Sequence, residues 1–142
     1  MSGAEAIKIG MNKLKQSGKL VKIYKTVAYK DQSDNGYVFT TAKGYNSGNR
    51  MRYWTSYSDD RLSKISKCKK QALVLCCRNK SDCVVLKLTK EFLESQKAYF
   101  SCNTDDDGNI NYYNIVVFID GDEIKLSEPE RSYEIDISKY AI

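Results

Sequence analysis

Short runs of alternating side chains constrain the fold of this chain more than any other feature. Between Leu20 and Lys30 the side chains alternate with a period of two, and successive residues of a β-strand face opposite sides of a sheet. The same period recurs between Arg50 and Ser58. Polar turns rich in Asp, Asn and Gly separate these runs from later apolar ones. Because helical segments do not alternate regularly with strands, the pattern disfavours a doubly wound parallel sheet.

The sequence as a whole predicts an α+β fold with a mainly antiparallel sheet that is curled or forms a pseudobarrel. We expect about seven to nine short strands and two or three short helices. The length of 142 residues fits one domain over 1–142. We divide it into an N-terminal helix (1–18), basic strands with a loop (19–58), and the rest of the sheet with short helices (59–142).

Helix boundaries follow from capping residues and apolar spacing. A first helix is expected from Ala4 to Gln16, ending at Ser17-Gly18. A second is expected from Ser58 to near Lys69-Lys70, because Ser and the following acids suit a helix N-terminus. Thr89 is expected to cap a third short helix, from Lys90 to Gln96.

Composition excludes several classes of protein. Apolar residues make up 42% of the chain and charged residues 29%, so a core is expected rather than disorder. No apolar run approaches the ~18 residues needed to cross a bilayer. The first residues lack a basic segment followed by an apolar one, so we expect no signal peptide, no membrane partner and a cytoplasmic location.

The chemistry available to the chain is limited by its histidine and cysteine content. Histidine is absent, which removes imidazole as a base, an acid or a metal ligand. The five cysteines are odd in number and contain no C-x-x-C motif, so neither a disulfide framework nor a four-thiolate zinc site is expected. Cys76, Cys77 and Cys83 lie in apolar runs and are expected in the core. We therefore assign no catalytic residue, metal or cofactor.

Charge is divided unevenly between the two parts of the chain. Residues 1–80 hold 17 Lys or Arg and 5 Asp or Glu, a net +12, whereas residues 81–142 hold 6 and 13, a net −7. A basic region attracts polyanions, and nucleic acid is the most common of these. The alternative is that the two parts neutralise each other across a packed interface.

The segment from Lys43 to Trp54 carries the side chains best suited to nucleic acid. Asn and Arg form bidentate hydrogen bonds with the edges of adenine and guanine, and Gly44 and Gly48 allow close approach of a phosphate. Lysines on the preceding strand suit phosphate contacts. The alternative is a solvated loop with Tyr53 and Trp54 in the core. The predicted DNA-binding residues are Lys22, Lys25, Lys43, Asn46, Asn49, Arg50, Arg52 and Tyr53.

Two acidic clusters follow in the second part of the chain. Asp107 with Glu123-Ile124-Lys125 matches the Asp…Glu-x-Lys skeleton of metal-dependent nucleases. In those enzymes the carboxylates hold magnesium and the lysine assists the nucleophile. The alternative is that both clusters are solvated hairpin turns.

After Arg52 the sequence predicts an aromatic strand, two apolar strands around a polar turn, a short helix and two terminal strands, at 53–57, 72–77, 84–88, 91–93, 112–117 and 135–140. This order of elements resembles the specificity domains of bacterial restriction endonucleases. Some of these domains adopt the seven-stranded pseudobarrel of plant transcription factors. The resemblance implies a fold that grips duplex DNA in the major groove, with residues 20–54 supplying much of the surface.

We therefore expect a non-catalytic DNA-binding specificity module of a bacterial restriction or related defence system. Its partners would be double-stranded DNA and a nuclease or motor subunit. Two alternatives stay open. One is a small metal-dependent nuclease that uses Asp107, Glu123 and Lys125. The other is a protein-interaction or inhibitor module whose acidic part mimics nucleic acid.

Overall fold

The computed structural model describes residues 1–15, 18–128 and 132–142, and it confirms the α+β class. Within these residues ten strands form one mainly antiparallel sheet, accompanied by three α-helices. The helices are α1 (Gly3–Leu14), α2 (Asp59–Ser63) and α3 (Lys90–Gln96). The strands are β1 (Val21–Tyr24), β2 (Ala28–Lys30), β3 (Asn35–Ser47), β4 (Arg50–Tyr57), β5 (Lys70–Arg78), β6 (Cys83–Thr89), β7 (Cys102–Thr104), β8 (Ile110–Asp120), β9 (Glu123–Glu128) and β10 (Tyr133–Asp136).

The long strand β3 belongs to both halves of the sheet. Its first part pairs with β2 on one edge and, in parallel, with β5 on the other. Its last part, from Gly44 to Ser47, pairs antiparallel with β4. The first half of the sheet therefore runs β1-β2-β3-β5-β6, and the second continues from β3 through β4, β8 and β9 to β10.

The two halves curl around one apolar core. Leu73, Leu75 and Leu86 contribute to it from the first half, and Ile115 and Val117 from the second, all with at most 1% exposure. The segment after β10 returns to β6. There the backbone N–H of Ile142 donates to the carbonyl oxygen of Val85 at 3.0 Å, and Ala141 forms a bridge with Leu86. This contact joins the last part of the chain to the far edge of the sheet.

Helix α1 covers the outer face of the first half of the sheet. Ala6 and Leu14 pack there with Phe39 and with buried residues of β5 and β6. A Cβ atom on Gly10 would lie 2.8 Å from the Cys76 Sγ atom, so glycine permits this close approach. Cys76, Cys77 and Cys83 are buried, as predicted. In the part of the chain that the structure describes, no helix is both long and apolar enough to cross a membrane.

Several predicted boundaries were wrong for identifiable reasons. The run from Leu20 to Lys30 is two strands, because the backbone reverses at Lys25, whose φ is 46°. Helix α2 ends at Ser63 rather than near Lys69-Lys70, because the chain then turns inward to bury Ile65 and Cys68. The sequence also predicts a short strand from Ala98 to Cys102, but β7 begins only at Cys102, after a 3-10 turn at Lys97–Tyr99.

The N-caps predicted for the last two helices are confirmed, while the predicted end of the first helix falls on residues that the structure does not describe. The side chains of Ser58 and Thr89 accept hydrogen bonds from the first turns of α2 and α3. Gln16, the predicted last residue of the first helix, and Ser17 of the expected Ser17-Gly18 terminator lie outside the described residues, as does the single proline, Pro129.

Two hairpin turns share one hydrogen-bonding scheme. Asp31 accepts from the backbone N–H groups of Ser33 (2.9 Å) and Asn35 (3.0 Å) and from the Asn35 side chain (2.9 Å). Asp105 accepts the corresponding hydrogen bonds from the backbone N–H groups of Asp107 and Asn109 and from the Asn109 side chain. The turns differ in burial, because Asp31 is 4% exposed and also accepts from the Tyr37 hydroxyl at 3.0 Å, whereas Asp105 is exposed.

The hydrogen bonds of the buried turn determine the ionisation of Asp31 and Tyr37. Burial by itself raises the pKa of Asp31, but the hydrogen bonds from Asn35, Tyr37 and Ser33 outweigh it, so the pKa lies below its usual value. Burial and the neighbouring Asp31 carboxylate raise the pKa of Tyr37 to about 12. Asp31 is therefore ionised, and Tyr37 neutral, across the physiological range.

Replacing Asp31→Asn is expected to lower the free energy of unfolding by about 1–3 kcal/mol at pH 7, because charge-assisted hydrogen bonds are lost. A carboxyl with a lowered folded-state pKa stabilises the fold above its unfolded pKa and loses that contribution as the pH falls through the folded pKa. The difference between wild type and variant should therefore shrink in urea titrations below about pH 4. Asp105→Asn is the matched control, and an equal loss in that variant would contradict this account.

Candidate nucleic-acid interface

The outer face of the second half of the sheet is open where β3 meets β4. Helix α1 reaches as far as Thr41, whose side chain lies 3.4 Å from where a Cβ of Gly3 would be. Beyond that point Lys43 and Tyr45 continue on the same face of β3. Tyr45 stands opposite Arg52 of β4 in the register. We call Lys43, Tyr45, Arg52 and Trp54 the aromatic-basic strip.

The strip alternates cations with exposed rings. Tyr45 and Trp54 are each 58% exposed. The Lys43 Nζ atom lies 5.5 Å from the centre of the Tyr45 ring, and the Arg52 Cζ atom lies 5.8 Å from the centre of the Trp54 ring. These distances are within the range of cation–π attraction. Cation–π attraction therefore stabilises the arrangement of each ring and its neighbouring cation, while one side of each ring stays exposed to solvent.

Packing beneath the strip fixes the orientation of these side chains. Gly44 lies over the buried ring of Tyr53, and a Cβ there would come within 2.8 Å of that ring. The Trp54 indole N–H donates to the Asn114 Oδ1 atom at 3.3 Å, and the Asn114 amide donates to the Ser101 Oγ atom at 3.2 Å. Two hydrogen bonds thus link Trp54, through Asn114 of β8, to Ser101 in the segment before β7.

A groove of about 650 Å³ adjoins the strip, between the β3–β4 hairpin and the turn after β5. It exists because β5 ends at Arg78, the partner of Lys43, while β3 continues. Arg78, Asn79 and Lys80 line it together with Lys43 and Asn46, and no carboxylate is among its described lining residues. The groove is therefore positively charged and carries amide groups.

The structure places the predicted residues in several separate environments. Lys43, Asn46 and Arg52 belong to the strip or the groove, and Asn49 is exposed in the hairpin turn beside Gly48. Tyr53 is 2% exposed and lies in the core, on the side of β4 opposite to Arg52. A surface contact by Tyr53 is therefore ruled out by its burial.

Arg50 has internal partners. Its guanidinium lies 4.0 Å from the centre of the Phe118 ring and forms an ion pair with Glu134 at 3.1 Å. The side chain covers an apolar residue on the outer face of β8 and neutralises the carboxylate closest to it. Arg50 therefore fills a structural role.

Lys22 and Lys25 lie far from the strip. Lys22 pairs with Tyr29, and Tyr29 pairs with Tyr37 of β3, eight residues before Tyr45. At about 3.3 Å per residue this is roughly 26 Å along the strand. The Nζ atoms of Lys25 and Lys64 lie 5.2 and 4.5 Å from the ring centre of Tyr24. We call Lys22, Lys25 and Lys64 with Tyr24 the second basic region.

Sequence reasoning missed part of this surface. Arg78, Asn79 and Lys80 were expected only as a turn, and no local pattern connects them with Lys43. The exposure of Trp54 was predictable from the sequence. Trp54 is two residues from Arg52, so the two side chains face the same side of the strand, whereas Tyr53 faces the other side. This alternation places Trp54 on the outer face.

The acidic residues of the nuclease hypothesis do not converge. Asp107 precedes β8, whereas Glu123 and Lys125 follow it. The strand of 11 residues spans roughly 33 Å at its usual rise. Lys125 instead lies 3.7 Å from both Glu123 and Asp136 on the β9–β10 hairpin. Among the described residues, no group of three or more acids and cysteines is arranged to hold a metal ion.

The basic and acidic parts of the chain do not neutralise each other extensively. Of the 17 Lys and Arg side chains in residues 1–80, Arg50 alone forms an ion pair with a carboxylate side chain of the described residues. Lys97 of the acidic part pairs with Asp59 and Glu94. Most of the basic charge therefore stays available to an external anion.

Comparisons with known protein families, with characterised proteins and with solved structures gave no match. The resemblance to restriction-enzyme specificity domains therefore stays a prediction. The functional assignment depends instead on the chemistry of the surface itself, an alternation of cations and exposed rings next to a basic groove.

Trp54 is the single tryptophan, so its environment is directly measurable. Because its indole is 58% exposed, the folded protein is expected to emit close to the wavelength of fully solvated indole and to be quenched readily by acrylamide. Unfolding in urea should shift the emission only slightly. A strongly blue-shifted, quencher-resistant emission would contradict the exposed placement.

Proposed function

We propose that this chain is a non-catalytic DNA-binding module that contacts DNA through the aromatic-basic strip and the adjoining groove. The observation that carries the proposal is the placement of Lys43 and Arg52. Neither forms an ion pair within the described residues, and each lies beside an exposed aromatic ring. Cations that attract phosphates and rings that contact bases are the two components of a nucleic-acid surface.

The groove supplies further contacts to the phosphate backbone. Arg78 donates from its Nη1 atom to the Met1 carbonyl oxygen at 2.8 Å, while its buried Nε–H has no hydrogen-bond partner in the described structure. Lys80 is exposed beside it. Arg78, Lys80 and Lys43 together form a cationic wall, and Asn46 offers amide donors and acceptors next to it.

The second basic region is a separate contact site for DNA. It lies roughly 26 Å from Tyr45 along β3, and α1 covers the outer face of the sheet between the two sites. Contacts there position the ligand without reading its sequence. Lys22 and Lys25 therefore keep the backbone-contacting role predicted from the sequence, as a site separate from the hairpin.

The biological setting is proposed from the resemblance alone. A specificity module of a restriction or related defence system acts in the cytoplasm and works with a nuclease or motor subunit. The separation of the acidic clusters weighs against the nuclease alternative, because acids at opposite ends of β8 do not assemble a metal site.

Binding should depend steeply on salt. Four cations that contact phosphates (Lys43, Arg52, Arg78 and Lys80) imply a slope of log affinity against log salt of roughly −3 to −4. Fluorescence anisotropy with labelled single-stranded and duplex oligonucleotides measures it. Arg52→Ala is expected to weaken binding by about 1–3 kcal/mol, and Lys43→Ala to reduce the slope by about one contact.

Lys90→Ala is the matched control, because Lys90 is an exposed lysine at the start of α3, outside the strip and the groove. It should leave affinity and slope nearly unchanged. Equal losses in Lys90→Ala and Arg52→Ala would show that net charge alone attracts DNA. Absence of binding to both DNA forms at low salt would refute the proposal.

The isolated chain is expected not to cleave DNA. Metal-assisted hydrolysis needs carboxylates that converge on one ion, and Asp107 is roughly 33 Å along β8 from Glu123. Plasmid incubated with magnesium or manganese should stay supercoiled. Nicking that disappears in Glu123→Ala would restore the nuclease hypothesis.

A further inference from the structure

We infer that the aromatic-basic strip binds unpaired DNA bases, so that the chain prefers a single strand to a duplex. The inference rests on the proposed function and specifies its ligand. It arises from the two exposed rings, which the sequence-based expectation of duplex binding did not use. The strip presents these rings on strands of a sheet rather than on a loop.

The spacing of the rings suits bases two nucleotides apart in a stacked strand. Tyr45 pairs directly with Arg52, and Trp54 is two residues farther along β4. Diagonal neighbours of this kind have Cα atoms about 7–8 Å apart. That is about twice the 3.4 Å advance per nucleotide of a stacked strand. Arg52 neighbours both rings, because it pairs with Tyr45 and lies two residues before Trp54 on β4. Lys43 lies beside Tyr45 on β3, on the side toward Trp54.

The rings are held in place before any ligand arrives. The hydrogen bond from Trp54 to Asn114 and the contact with the Arg52 guanidinium restrict the indole. Lys43 similarly lies against Tyr45. A platform that is already ordered loses little conformational entropy when a base stacks on it. Such platforms on sheet surfaces are typical of proteins that bind single strands with little sequence preference.

A duplex cannot use this platform fully. Its bases are already stacked on each other, and only their edges face the grooves. The exposed face of Trp54 would then meet sugar or phosphate and gain no stacking. An unpaired strand offers base faces to the rings and phosphates to the cations at the same time.

Charge around the strip favours the same ligand. The carboxylate of Glu134, on β10 of the same half-sheet, is neutralised by its ion pair with Arg50. The groove at the other end of the strip has no carboxylate among its described lining residues. The groove therefore offers a strand that leaves the strip a lining of cations and amides.

The test compares a 15-nucleotide oligothymidylate with a duplex of the same length. The full chain is titrated with each, and both anisotropy and Trp54 fluorescence are recorded. We expect at least a tenfold preference for the single strand, with quenching of Trp54 by that ligand. Trp54→Ala and Tyr45→Ala should each reduce single-strand affinity roughly 5- to 150-fold, the usual range for a lost stacking contact.

Two further variants separate stacking from general damage. Trp54→Phe keeps an aromatic face and should retain most of the preference, measured by anisotropy. Tyr99→Ala removes an exposed ring outside the strip and should change neither ligand's affinity.

The two hypotheses fail in different ways. Equal or tighter binding of the duplex, with Trp54→Ala neutral while Arg52→Ala still weakens binding, would overturn the single-strand inference and leave the proposed function intact. Binding of neither ligand at low salt would overturn the proposed function and, with it, the inference. A preference for the single strand that is lost in Trp54→Ala and kept in Trp54→Phe supports both.

Discussion

The hydrogen bonding of β3 to three other strands is the constraint on which the rest of the structure depends. Over its first nine residues β3 runs parallel to β5, and this pairing builds the half-sheet that α1 covers. Strand β5 stops at Arg78, whereas β3 continues and pairs with β4 over Gly44–Ser47. The end of β5 therefore determines the position of the groove, and the reach of α1 along β3 determines where the outer face becomes exposed.

The same strand alternation builds the core and the proposed interface. Tyr53 is buried and Trp54 is 58% exposed, although they are adjacent aromatic residues on one strand. The period of two separates them, and a register shift of one residue would exchange their faces. Gly44 supports this arrangement, because a side chain there would collide with the Tyr53 ring. Packing beneath the sheet thus holds Arg52 and Trp54 outward.

Many of the basic residues of this chain are grouped at the two ends of β3 and form few ion pairs. The basic part of the chain contributes Lys43, Arg78 and Lys80 to one end of β3, and the second basic region lies at the other. Arg50 is the exception, since it covers Phe118 and neutralises Glu134. A cation with internal partners gains little from phosphate, whereas an unpaired cation beside an exposed ring gains both counterion release and stacking.

Local sequence signals predicted most of the strands, the helix N-caps and the hairpin turns, because alternation, Ser or Thr caps and Asp–Asn turns act within a few residues. They did not predict the chain reversal at Lys25 or the end of α2 at Ser63. They also placed Arg52 and Trp54 on one face of β4. The tertiary structure alone decided that β3 and β5 pair in parallel, that Arg78 comes beside Lys43, that Arg50 is neutralised, and that Asp107 and Glu123 lie at opposite ends of β8. Each of these depends on which distant strands pair and on which face a helix covers, and those choices are made by contacts far apart in the chain.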